Sequence, residues 1–265
     1  MNIFLRELKA YRKSLIIWSV AIFFMIVSSI GKFTAYAETG QSMNELLSQI
    51  PGSIKAVLGM GNFDLTKVSG FYGMLYLYLL LLAAVHAALI GANIISKEER
   101  DKTTEFLLVK PVSRTKVVTA KLLASLFNIV VFNLVTLSFS VVLMRKYADG
   151  EDITGEICIL MVGMFILQLM FLVIGTATAA ASRRPRSAAS VATAILLVTF
   201  IISSAVNMNS NLESLKYITP FEYFKADKLL NSGGFEAVFL ILSFVMIAVL
   251  VFVTYASYKK RDLNV

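Results

Sequence analysis

Six stretches of this 265-residue chain contain no Asp, Glu, Lys or Arg: 14–31, 70–95, 122–144, 157–182, 187–212 and 237–258. They run from 18 to 26 residues and together hold 141 residues. A bilayer core about 30 Å thick is crossed by about 20 apolar residues in a helix, so each stretch is long enough to span. In lipid the backbone must satisfy its own hydrogen bonds, which leaves helices or closed barrels. Barrel strands alternate polar and apolar residues over about 10 positions. A run such as Leu75-Tyr76-Leu77-Tyr78-Leu79-Leu80-Leu81-Leu82 does not alternate. The expected fold is therefore an all-α integral membrane protein with six transmembrane helices, forming one domain over 1–265. Composition agrees: 57% hydrophobic and 16% charged residues exclude disorder and disfavour a soluble enzyme.

The charges between the spans set the orientation. Segments 1–13, 96–121, 183–186 and 259–265 hold 17 Lys and Arg in 50 residues, against 8 in 74 for 32–69, 145–156 and 213–236. The positive-inside rule places the first group, and hence both termini, in the cytoplasm. The net charge of +8 then reflects topology, and nucleic acid is not an expected partner. A basic start followed by an apolar run and Ala35-Tyr36-Ala37 has the order of a secretory leader. Its apolar core exceeds the usual length of about 7–15 residues, and it reads as span one.

The segments between spans carry their own patterns. Ile3, Phe4, Leu8, Tyr11 and Leu15 fall near one helical face, with Arg6, Lys9, Arg12 and Lys13 around the rest. This predicts an N-terminal interfacial helix or a positively flanked start of span one. In the outer loop 32–69, Pro51-Gly52 divides two short amphipathic patterns. Loop 96–121 contains the apolar run Phe106-Leu107-Leu108-Val109 between charged flanks, which suits a protein partner or the membrane surface. Ser96 and Glu99 have capping-box spacing, Pro111 ends the first helix, and Ser113 is placed to cap the next. Arg183-Arg184-Pro185-Arg186, four residues between two spans, predicts a tight hairpin. Outer residues 212–227 are aromatic and apolar, which suits an interfacial belt or a re-entrant segment.

Much chemistry is missing. There is no G-x-x-x-x-G-K-[ST], H-E-x-x-H, EF-hand loop or G-x-S-x-G. The single Cys158 and single His86 exclude an internal disulfide, a multi-cysteine metal site and a histidine-rich one. No span holds a carboxylate, Lys or Arg of the kind ion-coupled carriers place near the midplane. Asn133 and Gln168 suit interhelical hydrogen bonds, and His86 a packed, neutral role. Ala83, Ala87 and Gly91, Gly175 and Ala179, and Ala188 and Ala192 form small-residue stripes that permit close helix approach.

Six spans, cytoplasmic termini, no motor and one apolar-studded inner loop resemble a type-2 ATP-binding-cassette permease of the type V exporter fold. That family carries an E-x-x-x-x-T-x-E-x-L-L-x-x-P-x-S-R-like stretch between spans two and three. Here it stands as Glu99 through Thr103, Thr104, Glu105, Phe106, Leu107, Leu108, Pro111, Ser113 and Arg114. Thr103 occupies a position where the family commonly has Gly. Pro51-Gly52, Thr219-Pro220-Phe221 and the terminal Lys260-Arg261-Asp262-Leu263 extend the likeness over the whole chain.

The resemblance implies a permease in a plasma (inner) membrane, pairing with an identical or paralogous second permease. Each would dock a cytosolic ABC ATPase subunit, two copies in all, through a cytoplasmic coupling helix at about Thr103 to Val109. ATP and Mg would sit on the ATPase, with no cofactor on this chain. Within the coupling region, Phe106 and Leu107 would anchor the motor while Glu99, Arg100 and Glu105 orient it, with Thr103, Thr104 and Leu108 completing it. The re-entrant segment before the last span would form an outer gate, with Tyr217, Pro220, Phe221, Tyr223 and Phe224. An uncharged path bearing Tyr72, Tyr76, Tyr78, Phe127, Phe132 and Phe139 suits amphipathic or hydrophobic cargo, with peptides first. The competing expectations are an ATPase-associated sensing or resistance module without transport, a secondary carrier, and an intramembrane enzyme.

Overall fold

A computed structural model of the chain describes residues 2–39, 45, 49–61, 63–101, 112–148, 150–182, 184–231 and 234–260. Among these there are helices and turns and no strands. Six helices are long and apolar enough to cross a membrane. They are α1 (Ile3–Thr39), α3 (Val68–Arg100), α4 (Arg114–Arg145), α5 (Thr154–Ala181), α6 (Ala188–Met208) and α9 (Ala237–Lys260). Among the described residues, three further short helices are α2 (Gly52–Val57), α7 (Pro220–Tyr223) and α8 (Ala226–Asn231). A 3₁₀ turn, Pro185–Ser187, joins α5 to α6, and another, Ser210–Tyr217, follows α6.

The expected interfacial helix and span one form a single helix of 37 residues, about 55 Å long at 1.5 Å per residue. No Gly or Pro occurs before Gly31, so nothing in the sequence breaks the backbone ladder between the basic start and the apolar run. Likewise α3 runs on to Arg100, which places Ser96 inside the helix. Its hydroxyl donates to the Ala92 carbonyl at 2.8 Å, so the expected Ser96–Glu99 capping box does not form. Ser113 does cap α4, its Oγ accepting from the Lys116 amide. In the outer loop, α2 begins at Gly52, directly after the Pro51 break, while most of the pattern before it lies outside the described residues.

The core is built around α3 and α5, which are neighbours in space but separated in sequence by α4. Their approach is set by glycines. A Cβ on Gly91 would lie 2.3 Å from the Leu172 carbonyl oxygen, and one on Gly175 would lie 2.5 Å from that of Ala88. The small-residue stripes of spans two and four therefore face each other within this chain. Helices α4, α6 and α9 pack around this pair, and α1 lies mainly along α4. The outer faces of α1, α6 and α9 are apolar and exposed, as at Phe24, Ile201 and Phe252, which suits lipid.

The polar residues expected within spans mostly behave structurally. Asn133 donates to Gln168 Oε1 and to the Met161 carbonyl, each at 3.2 Å, tying α4 to α5. Such bonds contribute about 1 kcal/mol in membranes. We expect a double-mutant cycle with Asn133→Leu and Gln168→Leu to give a coupling of that order in detergent unfolding; a coupling near zero would mean the two side chains merely share a cavity. His86 is buried with its ring stacked on Phe132 at 4.5 Å and Trp18 5.4 Å away, a packed position. The aromatics expected along a path do not share one surface. Tyr72, Tyr76 and Phe132 are core residues, whereas Tyr78 and Phe127 are exposed.

Candidate functional site

Among the described residues, two polar regions interrupt the apolar body, one at each end. The first lies where the starts of α1 and α4 meet the finishes of α3 and α9. Glu98, three residues from the start of the α3–α4 connection, is 7% exposed. One of its carboxylate oxygens accepts from Arg6 Nη2 of α1 at 2.8 Å, and the other pairs with Lys121 of α4. Lys121 is fully buried and also donates to the Ile94 carbonyl at 2.5 Å. Arg6 completes the group by pairing with Glu7 at 2.5 Å. Nearby, Arg114 donates to the Lys259 carbonyl at 3.1 Å, and Thr119 and Tyr255 share a hydrogen bond of 2.8 Å.

Of the expected coupling residues, Glu99 and Arg100 close the last turn of α3. Arg100 donates to Asn93 Oδ1 at 2.8 Å and pairs with Asp101 at 3.3 Å. Thr103, Thr104, Glu105, Phe106, Leu107 and Leu108 lie outside the described residues. The structure thus describes the feet of the connection.

The second region is at the opposite end, in the segment from Ser210 to Asn231. Pro at the first helical position presets the backbone for a helix start, and Pro220 opens α7 in this way. This turn drives Phe221 into the bundle, where its ring lies 5.2 Å from Phe171 and 5.3 Å from Phe200. Phe200 is eight residues inside the end of α6, about 12 Å along the helix, so the segment dips well into the body. Tyr223 stacks on Phe239 of α9 at 4.8 Å and donates to the Tyr217 carbonyl at 2.5 Å. Phe224 is buried beside Tyr223. Four of the five expected gate residues, Pro220, Phe221, Tyr223 and Phe224, come together as a buried cluster, while Tyr217 is 49% exposed at its rim.

Sequence reasoning missed the residue that anchors this cluster. Glu222 is 2% exposed. It accepts from Ser203 at 2.5 Å and Asn207 at 3.1 Å, both on α6, and pairs with Lys225 at 2.7 Å. Lys225 in turn donates to Asn207. Burial pulls the ammonium of Lys228 below its usual range, a shift that Glu222 opposes. Beside the anchor opens a cleft whose walls include Gly73, Tyr76, Phe200, Asn207, Phe221 and Lys225. The available signal was spacing: Ser203 and Asn207 are four residues apart and so share one face of α6. Lys121 had a weaker signal, since it sits eight residues into a helix whose start Ser113 already marks.

These features define a polytopic all-α membrane protein with an ion-paired cluster at one end and an inserted aromatic segment at the other. The chain belongs to the ABC-2 family of transporter proteins: the family model described as "ABC-2 family transporter protein" matches residues 1–263. No curated protein matches the chain. The family is a membrane component of ABC transporters, not their catalytic ATPase, and membership implies partnership with an ABC ATPase subunit.

Proposed function

We propose that the chain is the permease subunit of an ATP-driven exporter, moving amphipathic or hydrophobic cargo, with peptides the first class to test. The single observation that carries this reading is the segment 210–231, which seats an aromatic cluster inside the bundle on a polar anchor at Glu222. A transport cycle needs an element whose equilibrium can be biased between two states, and this segment, seated on a few polar bonds, is the one we assign to that role. Tyr217, Pro220, Phe221, Tyr223 and Phe224 act as the outer gate. The cleft beside them combines aromatic walls with a few polar groups, the usual make-up of a site for a partly apolar ligand.

At the other end, the connection between α3 and α4 docks the ATPase. Phe106 and Leu107 anchor in the motor, Glu99, Arg100 and Glu105 set its orientation, and Thr103, Thr104 and Leu108 complete the contact. ATP and Mg bind the motor subunit, of which two copies serve a pair of permeases, identical or paralogous. The basic, terminus-bearing end faces the cytoplasm of a plasma membrane, and the chain works as one transmembrane domain without nucleic acid.

The test is capture of the ATPase subunit by the full chain in detergent, followed by ATP hydrolysis with amphipathic peptides added. Buried aromatic anchors carry most of an interface's energy, so Phe106→Asp should abolish capture and peptide-stimulated hydrolysis together. If that variant captures ATPase and exports as the parent does, the docking assignment is wrong.

A further inference from the structure

The ion-paired cluster around Glu98 has a geometry that packing alone does not require. Burying charges is costly, and well-packed apolar residues in the same volume are often as stable or more so. Here two acids, Glu7 and Glu98, and two bases, Arg6 and Lys121, balance one another at the edge of the apolar body. Glu98 divides its two carboxylate oxygens between helices α1 and α4 while belonging to α3. Lys121 adds a second tie to α3 through the Ile94 carbonyl, one helical turn from Glu98.

The position of the cluster matters as much as its chemistry. Glu98 is two residues from the end of α3, and Lys121 is seven residues past the first residue of α4, about 10 Å along that helix. The pair therefore closes the base of the connection between the two helices. Arg6 ties the start of α1 to the same base. Arg114 and Thr119, on the exposed side of the same two turns of α4, reach α9 at Lys259 and Tyr255.

We propose that Glu98, held by Lys121 and Arg6, is a positioning residue that makes the start of α1 and both feet of the α3–α4 connection move as one body. This rests on the reading that the connection docks the ATPase. A push on a loop whose feet slide independently is absorbed at the loop. A push on clamped feet is passed to α3, which lines the outer cleft at Gly73 and Tyr76. The clamp thus converts motor contact into displacement at the far end, through differential contacts in two states.

The experiment uses the full chain bound to its ATPase subunit in lipid nanodiscs and reads hydrogen exchange over residues 210–231 with and without ATP and Mg. In the wild type, ATP should change exchange in that segment. In Glu98→Gln and in Arg6→Gln, ATPase capture and basal hydrolysis should stay within about twofold of wild type, while the ATP-dependent change in exchange falls about fivefold or more. Because a substitution at a buried pair can also harm folding, a second variant decides the matter. Cys158 is exposed and free, and with it replaced by Ser, Glu98→Cys with Lys121→Cys can be joined by a reversible bifunctional thiol reagent. The ATP response should return with the crosslink and vanish on reduction of the same sample. A full response in Glu98→Gln, or a crosslinked sample that binds and hydrolyses ATP but stays silent at 210–231, overturns the clamp alone. A wild-type chain that captures no ATPase, or whose exchange ignores ATP, overturns the exporter reading and the clamp with it.

Discussion

Replacing Gly175 with Val should leave little folded protein. A single methyl there would sit 2.5 Å from the Ala88 carbonyl oxygen and 2.8 Å from the Ala92 amide nitrogen. Both are backbone atoms of α3 and cannot turn aside as a side chain would. The helices would have to separate along their whole buried seam, losing the packing that holds membrane helices together. Overpacking a core with an extra methylene costs about 1–3 kcal/mol; valine pressed against the α3 backbone should exceed about 3 kcal/mol. Gly91→Val should behave alike, since its Cβ would meet the Leu172 carbonyl oxygen at 2.3 Å. Gly155→Ala is the control, because nothing lies within 4 Å of that Cβ. The measurement is the fraction of monodisperse protein recovered in detergent after a heating series. Recovery of Gly175→Val equal to the control would mean that α3 and α5 are not in contact as described.

The second large effect is expected at Glu222. Substituting Leu removes the acceptor for Ser203 and Asn207 and leaves the Lys225 ammonium without its carboxylate. Breaking a buried pair from one side costs about 3–5 kcal/mol. Lys225 retains some exposure and can swing outward, so we expect about 3 kcal/mol, the low end of that range. The double variant Glu222→Leu with Lys225→Met should recover most of the loss, because neither charge then remains. Unfolding of the two variants by denaturant, read by the fluorescence of Trp18, makes the comparison. A single variant as stable as the wild type would show that Glu222 does not anchor the segment. In a working transporter the single variant should also leak, since the aromatic cluster would lose its seat.

The body plan was legible in the sequence because lipid imposes a simple rule, a charge-free run of the right length. That rule also explains what was not read. Dividing the chain at every charged residue places all of them between spans by definition. It therefore cannot reveal that Glu98 and Lys121 lie inside helices α3 and α4, where each neutralises the other. The same rule split α1 at Lys13, although a helix continues through a charge as readily as through Leu when solvent or a partner is within reach. The Asn133–Gln168 bond and the packed His86 followed from their polarity in apolar surroundings. The Gly91 and Gly175 stripes were visible, but a stripe names no partner; only the fold shows that spans two and four meet. At the outer segment, Pro220 and the aromatics were readable as a pattern. Glu222 was not, because an acid among aromatics looks exposed until Ser203 and Asn207 are brought beside it.

The pairing of α3 with α5 has a consequence for how the chain is made. When α3 emerges from the ribosome, the surface it needs at Gly91 has not been synthesised. Residues 101–181 must follow before α5 is complete, roughly 4–16 s at ordinary elongation rates. For that interval α3 lacks its partner surface at Gly91, and Asn133 of α4 lacks Gln168. Insertion and assembly are therefore separate events in time, with the fourth span acting as the key that locks the second. A chain halted after α4 would be fully inserted yet unassembled, a natural substrate for membrane proteases.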